Sequence, residues 1–158
     1  MSKIKRSKKE KIFLILVSCV ILCVAAGMIT TLLWGYPVRY RNAESIFEEL
    51  SEKGYMENEV LLIGSSFMEY WSTSAEDLSP LTTYNMGVAS TVVSDWSKWI
   101  DKFILPFKPR AIVVYVGSND MSGGVGSKSG EAVAQELKEF FSDIREKLQN
   151  TEIYYVSV

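Results

Sequence analysis

The chain has 158 residues, no histidine and a formal net charge of −2. This length allows one domain of ordinary size. Residues 1–11 carry six Lys or Arg and one Glu, a local charge of +5, which leaves −7 on residues 12–158. A nucleic-acid-binding protein needs a basic face on its folded part, so this distribution of charge excludes nucleic acid as a partner.

An uncharged segment of 23 residues, 12–34, follows the basic cluster. As a helix it would span about 35 Å, which is enough to cross a hydrocarbon core of about 30 Å. We therefore expect one transmembrane helix in contact with the lipid bilayer. The positive-inside rule then makes residues 1–11 a cytoplasmic tip and places the chain after Arg39 outside, as in a bacterial plasma-membrane protein. Trp34, Tyr36 and Tyr40 fall where an interfacial aromatic belt is expected.

Two processed forms compete with a retained signal anchor. Residues 16–19, Leu-Val-Ser-Cys, resemble a lipobox in which Cys19 would be lipidated after cleavage, and residues 24–26 resemble a signal-peptidase site. The apolar run continues for 8 to 15 residues beyond either cut, which favours the retained anchor. Cys19 and Cys23 both lie inside this span, so no cysteine remains for a disulfide in the later part of the chain.

The chain after the anchor alternates between patterns typical of helices and of strands. Residues 35–57 read as a juxtamembrane linker with an amphipathic helix at 42–53, and residues 58–158 read as an α/β domain. The patterns predict strands at 60–63, 81–85, 111–116 and 153–158, with helices following Gly64 and at 94–107 and 131–150. This order predicts a doubly wound parallel sheet in a three-layer α/β/α arrangement.

Polar or glycine-containing segments follow three of the predicted strands. They are Ser65-Ser66, Asn85-Met86-Gly87 and Gly117-Ser118-Asn119-Asp120. Ligands of such sheets bind at the carboxyl ends of the strands, so we expect these segments to converge on one rim. The sequence contains no metal cluster, nucleotide fingerprint or redox motif.

These three segments resemble blocks I, II and III of the SGNH (GDSL-type) esterase and lipase superfamily, which has a flavodoxin-like fold. The resemblance implies that Ser66 is a nucleophile that attacks an ester carbonyl to form an acyl-enzyme. It also implies an oxyanion hole made of the Ser66 N–H, the Gly87 N–H and the Asn119 side-chain amide. The substrate implied is an ester-bearing glycan, lipid or small molecule, and this chemistry needs no cofactor.

Two departures from the family pattern stand out. Ser65 replaces the acidic second residue of block I, and the family's Asp-x-x-His block is missing from a sequence without histidine. Asp95, Asp120 and Lys128 are possible bases, but nothing in their spacing favours that role over solvated or capping ones.

The missing block leaves two readings of the chain open. We expect it to be the first part of a longer, extracytoplasmic serine esterase, inactive by itself because its C-terminal part is missing. The alternative is a catalytically inactive, membrane-anchored binding or scaffold domain. The sequence does not identify the acyl group or the oligomeric state.

Overall fold

The computed structural model describes residues 8–123 and 126–158, without the side chains of residues 8–13 and 28–34. The chain divides into two compact units, one ending at Val38 and the other running from Arg39 to Val158. Most of the predicted basic tip, residues 1–11, lies outside the described residues. The predicted domain boundaries stay predictions.

The first helix, α1, is a single helix of 46 residues, Lys8–Lys53. The segments at 12–34 and 42–53, which were expected as separate helices, are both parts of α1. Gly54 follows with φ of +76°, a conformation that glycine adopts without Cβ strain. In the described part of the chain, no helix combines the length and the hydropathy that a membrane crossing requires. Within the segment 12–34, side chains are described only for residues 14–27.

Among the described residues, four parallel strands form one sheet in the order β2-β1-β3-β4. The strands are β1 (Val60–Gly64), β2 (Thr83–Asn85), β3 (Ala111–Tyr115) and β4 (Glu152–Tyr155). In register, Val60 pairs with Thr83 on one side and with Ala111 on the other. The parallel sheet predicted from the sequence is confirmed, and its strand order is that of flavodoxin-like folds.

Besides the last part of α1, the second unit contains four α-helices among the described residues. They are α2 (Ser66–Glu69), α3 (Ser74–Asp77), α4 (Val93–Trp99) and α5 (Gly130–Lys147). The single helix expected at 94–107 is instead α4 followed by a π-helical segment, Ile100–Ile104, and a 3-10 turn, Leu105–Phe107. Pro106 has no N–H to donate within an α-helix, which accounts for the change of geometry near the end.

Large aromatic side chains bury the face of the sheet that carries Tyr84 and Tyr155. The ring of Phe141 in α5 lies 5.7 Å from that of Tyr155, and the ring of Phe107 lies 5.8 Å from that of Tyr84. Tyr40 of α1 contacts Phe103 at 5.6 Å. The half-buried ring of Tyr40 therefore packs against the α/β unit, and its place in an interfacial belt stays a prediction.

The opposite face of the sheet is covered by α2 and α3. Val60, Leu62, Met68 and Ala111 form its buried cluster, and Trp71, Leu78, Val113 and Tyr115 pack against them. At β4 this face of the sheet is open to solvent, since Tyr154 is 54% exposed. The short helix α2 therefore lies directly over the carboxyl end of β1, where the candidate site begins.

Candidate active site

Ser66 is the first residue of α2 and follows a corner made by Gly64 and Ser65. Gly64 has φ of +153°, and a Cβ atom there would lie 2.2 Å from the carbonyl oxygen of Tyr115. Only glycine therefore lets the chain turn this close to β3. The N–H of Ser65 donates to the same carbonyl at 2.9 Å, which fixes the corner and leaves Ser66 half-buried.

Ser65 is the buried partner of this pair of serines. Its side chain is 0% exposed, and among the described residues its hydroxyl has no hydrogen-bond partner. An unsatisfied buried hydroxyl is unfavourable by about 1–3 kcal/mol. The Ser65 backbone thus fixes the corner while its hydroxyl adds no hydrogen bond, whereas Ser66 is accessible to a ligand.

Gly87 lies against the backbone of α2. A Cβ atom at this position would lie 2.3 Å from the backbone nitrogen of Glu69, so the close approach requires glycine. The N–H of Gly87 donates to Oδ1 of Asn85 at 2.8 Å, and Nδ2 of Asn85 donates to the carbonyl of Met68 at 2.7 Å. The structure thus brings Gly87 to the site, but the amide predicted to serve the oxyanion hole is already hydrogen-bonded.

The loop after Gly87 is bonded to both β1 and α2. Val88 donates its N–H to the carbonyl of Gly64 at 2.9 Å, and the hydroxyl of Thr91 donates to the same oxygen at 3.1 Å. The N–H of Ala89 donates to the carboxylate of Glu69. These bonds hold the second segment of the rim against the corner that carries Ser66.

Asn119 begins a 3-10 turn, Asn119–Met121, after β3. Its Nδ2 donates to the carbonyl of Thr91 at 2.9 Å, and its side chain is half-buried. A side-chain amide carries two N–H groups, so this bond orients the amide and leaves a second donor. Ser66, Gly87 and Asn119 are thereby linked through Gly64 and Thr91.

Asp120 and Lys128 form a buried ion pair beside this rim. Asp120 is 3% exposed, accepts from the N–H of Val93 at 3.1 Å and binds Nζ of Lys128 at 2.7 Å. Nζ of Lys128 also binds Glu136 at 2.6 Å. Burial acts to lower the pKa of Lys128, but the hydrogen bonds to Asp120 and Glu136 prevail and raise that pKa above its usual value. Lys128 therefore stays protonated at neutral pH and is unsuited to act as a base.

The carboxylate of Asp95 is likewise occupied by structural contacts. Its carboxylate binds Nε of Arg39 at 2.7 Å and the Arg39 NH2 group at 3.1 Å, and it accepts from the N–H of Val92 at 3.1 Å. The expectation of capping roles for Asp95 and Asp120 agrees with these contacts. Among the described residues, no cluster of three or more His, Cys, Asp or Glu could hold a metal ion.

Glu69 and Thr91 were missed by the sequence analysis. Glu69 follows Ser66 by three residues and was given no role, and Thr91 belongs to no motif. Their contacts join segments that are 20 to 28 residues apart in the chain. A short stretch of sequence does not predict hydrogen bonds between segments so far apart. The spacing of three residues from Ser66 does place Glu69 near the rim.

No family model matches the sequence, and no curated protein matches it. Solved structures do match the fold. A protein from Streptococcus pneumonia, provisionally described as a platelet activating factor, aligns at a TM-score of 0.62 and 20% identity, covering 84% of this chain and 61% of its own. A GDSL-like lipase from Bacteroides thetaiotaomicron aligns at 0.51 and 14% identity, covering 63% of this chain and 48% of its own.

An acetyl xylan esterase aligns at a TM-score of 0.51 and 18% identity, covering 61% of this chain and 56% of its own. The chain therefore spans roughly half to three-fifths of the length of these structures. At such identities the likeness concerns the fold alone, which this chain shares with a GDSL-like lipase and an acetyl xylan esterase.

Proposed function

We propose that this chain supplies the nucleophile and the oxyanion-binding groups of a serine ester hydrolase that acts on O-acyl groups. The observation that carries the proposal is the rim itself. Ser66 stands half-buried at a glycine corner, and Gly64 and Thr91 connect that corner by hydrogen bonds to the amide of Asn119. The shared fold with GDSL-like lipases supports the assignment.

In the proposed reaction Oγ of Ser66 attacks the ester carbonyl, and a base accepts the hydroxyl proton. The carbonyl oxygen becomes an oxyanion, which the Ser66 N–H and the remaining N–H of Asn119 stabilise. The C–O bond to the alcohol then breaks, the alcohol takes the proton, and water hydrolyses the acyl-serine. Gly87 can contribute its N–H only if the bond to Asn85 opens, so Asn119 is the main donor. In comparable sites one donor contributes about 10² to 10³ in rate.

The general base is the missing part of this mechanism. The sequence contains no histidine, Lys128 is held protonated, and Asp95 and Asp120 are bound to cations and helix amides. We place the base outside these 158 residues. By themselves, residues 1–158 are then a very slow esterase.

This proposal is tested by supplying the base chemically. Imidazole added to the full chain should accelerate hydrolysis of p-nitrophenyl acetate, with a dependence on imidazole concentration that saturates. The Ser66→Ala variant gives the background reaction of imidazole itself, and Ser65→Ala is the matched control that should retain the accelerated rate. Equal rates in wild type and Ser66→Ala at every imidazole concentration would contradict the proposal.

An inactive binding domain is the second candidate. The absence of histidine and the bond that occupies the Gly87 amide both favour it. It predicts that Ser66→Ala does not change the rate of p-nitrophenyl acetate hydrolysis at any imidazole concentration. The imidazole experiment therefore separates the two candidates.

We also propose that the first unit anchors the protein in a membrane, with the α/β unit outside the cytoplasm. The support is the sequence of residues 12–34, in which 23 residues carry no charge, and the exposure of large apolar side chains from Leu14 to Val24. Water-exposed apolar area of this kind is unfavourable, and lipid would cover it. The wild-type chain should resist alkaline carbonate extraction from membranes, whereas a variant with Val20→Lys and Leu22→Lys should be released. Release of both would reject the anchor.

A further inference from the structure

An open cleft with a volume of about 510 Å³ lies beside Ser66. Among the described residues, its lining consists of Ser66, Phe67, Tyr70 and Trp71. Phe67 and Tyr70 are 69% and 75% exposed, which is high for aromatic side chains next to a candidate nucleophile. Contact of aromatic rings with water is unfavourable. Several exposed rings at one place therefore indicate a ligand-binding surface.

Two of the three rings are held in place by contacts outside the cleft. Phe67 packs against Tyr115, with ring centroids 5.0 Å apart and planes at 55°. Nε1 of Trp71 donates to Asp77 at 2.6 Å, and the hydroxyl of Thr73 donates to the same oxygen at 2.7 Å. The two rings are therefore oriented before a ligand arrives, which reduces the entropy lost on binding.

The side chains that line the cleft indicate which part of an ester, the acyl group or the alcohol, binds there. An acyl chain gains most from an enclosed apolar surface, whereas this cleft is open and three of its four described lining residues are aromatic. A sugar ring offers C–H groups on its faces and hydroxyls on its rim. The negative faces of aromatic rings attract such C–H groups, while an open cleft leaves the hydroxyls in water.

We infer that Phe67, Tyr70 and Trp71 form a binding surface for a sugar ring, so that the ester cleaved at Ser66 is an O-acyl group on a carbohydrate. The cleavage of the ester at Ser66 rests on the proposed function, whereas the binding of the sugar ring does not. Phe67 and Tyr70 are the specificity-determining residues, since they are the most exposed rings in the cleft. Trp71 forms its half-buried wall.

Binding is measured with the full chain in detergent micelles. The chain carries Ser66→Ala so that the ester stays intact. The probes are an O-acetylated xylo-oligosaccharide, its deacetylated form and p-nitrophenyl hexanoate, which carries a longer acyl chain and no sugar. Titration calorimetry should show binding of both oligosaccharides. Tyr70→Ala and Phe67→Ala should each raise the Kd about tenfold, the loss typical of one aromatic contact. Tyr154→Ala, which removes an exposed aromatic ring outside the cleft, should leave the Kd unchanged.

The outcomes separate this inference from the proposed function. Equal affinities in Tyr70→Ala and its parent, or binding of p-nitrophenyl hexanoate in preference to both sugars, would overturn the sugar surface even if imidazole activates Ser66. Sugar binding that depends on Phe67 and Tyr70 would support the surface even if imidazole never activates Ser66, and in that case only the hydrolase proposal fails.

Discussion

Two groups of polar residues lie side by side at the carboxyl rim of the sheet, and they differ in how they are bonded. The acidic group, Asp95 and Asp120, is buried and each carboxylate is bound to a cation and to a backbone N–H of the segment Val92–Val93. The serine group, Ser65 and Ser66, has one buried hydroxyl without a partner among the described residues and one hydroxyl open to a cleft.

This difference assigns a role to each group. Removing one partner of a buried ion pair is destabilising, because it leaves the other charge uncompensated in a medium that solvates it poorly. A serine that no structural bond requires is available for chemistry. The rim therefore combines a rigid acidic group with an open serine corner.

The largest effect is expected from Gly87→Ala. A Cβ atom at Gly87 would lie 2.3 Å from the backbone nitrogen of Glu69, so α2 must move away from the loop or the unit must open. We expect a loss of about 4 kcal/mol or more in the free energy of unfolding, measured by urea denaturation. Gly130→Ala is the matched control, since a Cβ atom there meets nothing within 4 Å, and it should be neutral or slightly stabilising. A Gly87→Ala variant as stable as wild type would show that loop and α2 are not in contact.

Asp120→Ala should produce the next largest effect. It removes the carboxylate that caps Val93 and binds Lys128 at 2.7 Å, and leaves a half-buried ammonium with Glu136 alone. The free energy of unfolding should fall by about 3 kcal/mol in urea denaturation. Glu49→Gln, which breaks an exposed pair with Lys53, should leave the unfolding midpoint unchanged. Equal midpoints for both variants would mean that the buried pair adds no stability.

Alkaline pH should weaken the same pair. The pKa of Lys128 is raised in the folded state above its ordinary value of 10.5. The stability that this shift contributes is complete below the unfolded pKa and is lost as pH rises through the folded pKa. Urea midpoints measured from neutral pH into this alkaline range should fall more steeply for wild type than for the double variant Asp120→Asn/Lys128→Met. Identical slopes would contradict a coupled Lys128.

The smallest effect is expected at the serine corner. Ser65→Ala removes a buried hydroxyl that has no partner among the described residues, so stability should be unchanged or rise by about 1 kcal/mol. Ser74→Ala provides the contrast, because Oγ of Ser74 accepts from Asn85 at 3.3 Å and its loss should be destabilising. A clear loss of stability in Ser65→Ala would reveal a bond at the corner and remove the distinction between the two groups.

The sequence predicted those parts of the molecule that depend on local pattern. The apolar run from Val60 identified β1, the run from Ala111 identified β3, and the parallel order of the sheet followed from the alternation of helices and strands. The convergence of three polar segments on one rim was predicted for the same reason. Hydropathy and spacing determine such features over a few residues.

Features that depend on contacts between distant segments were not predicted. The ion pair between Arg39 and Asp95 joins residues 56 positions apart, and the Glu69 carboxylate reaches a loop 20 positions away. The bond from Gly87 to Asn85 is local, yet only the backbone geometry shows that it occupies the amide assigned to the oxyanion hole. The sequence thus predicted which segments meet at the rim, but not the bonds that decide which of their donors are available.

The most direct test of the central claim is covalent labelling of the full chain with a fluorophosphonate in the presence and absence of imidazole, followed by mass spectrometry of the peptides. We predict that imidazole increases labelling in wild type, that the adduct maps to Ser66, and that Ser66→Ala loses it while Ser65→Ala keeps it. An adduct on another residue, or no labelling at any imidazole concentration, would contradict the assignment of Ser66 as the nucleophile.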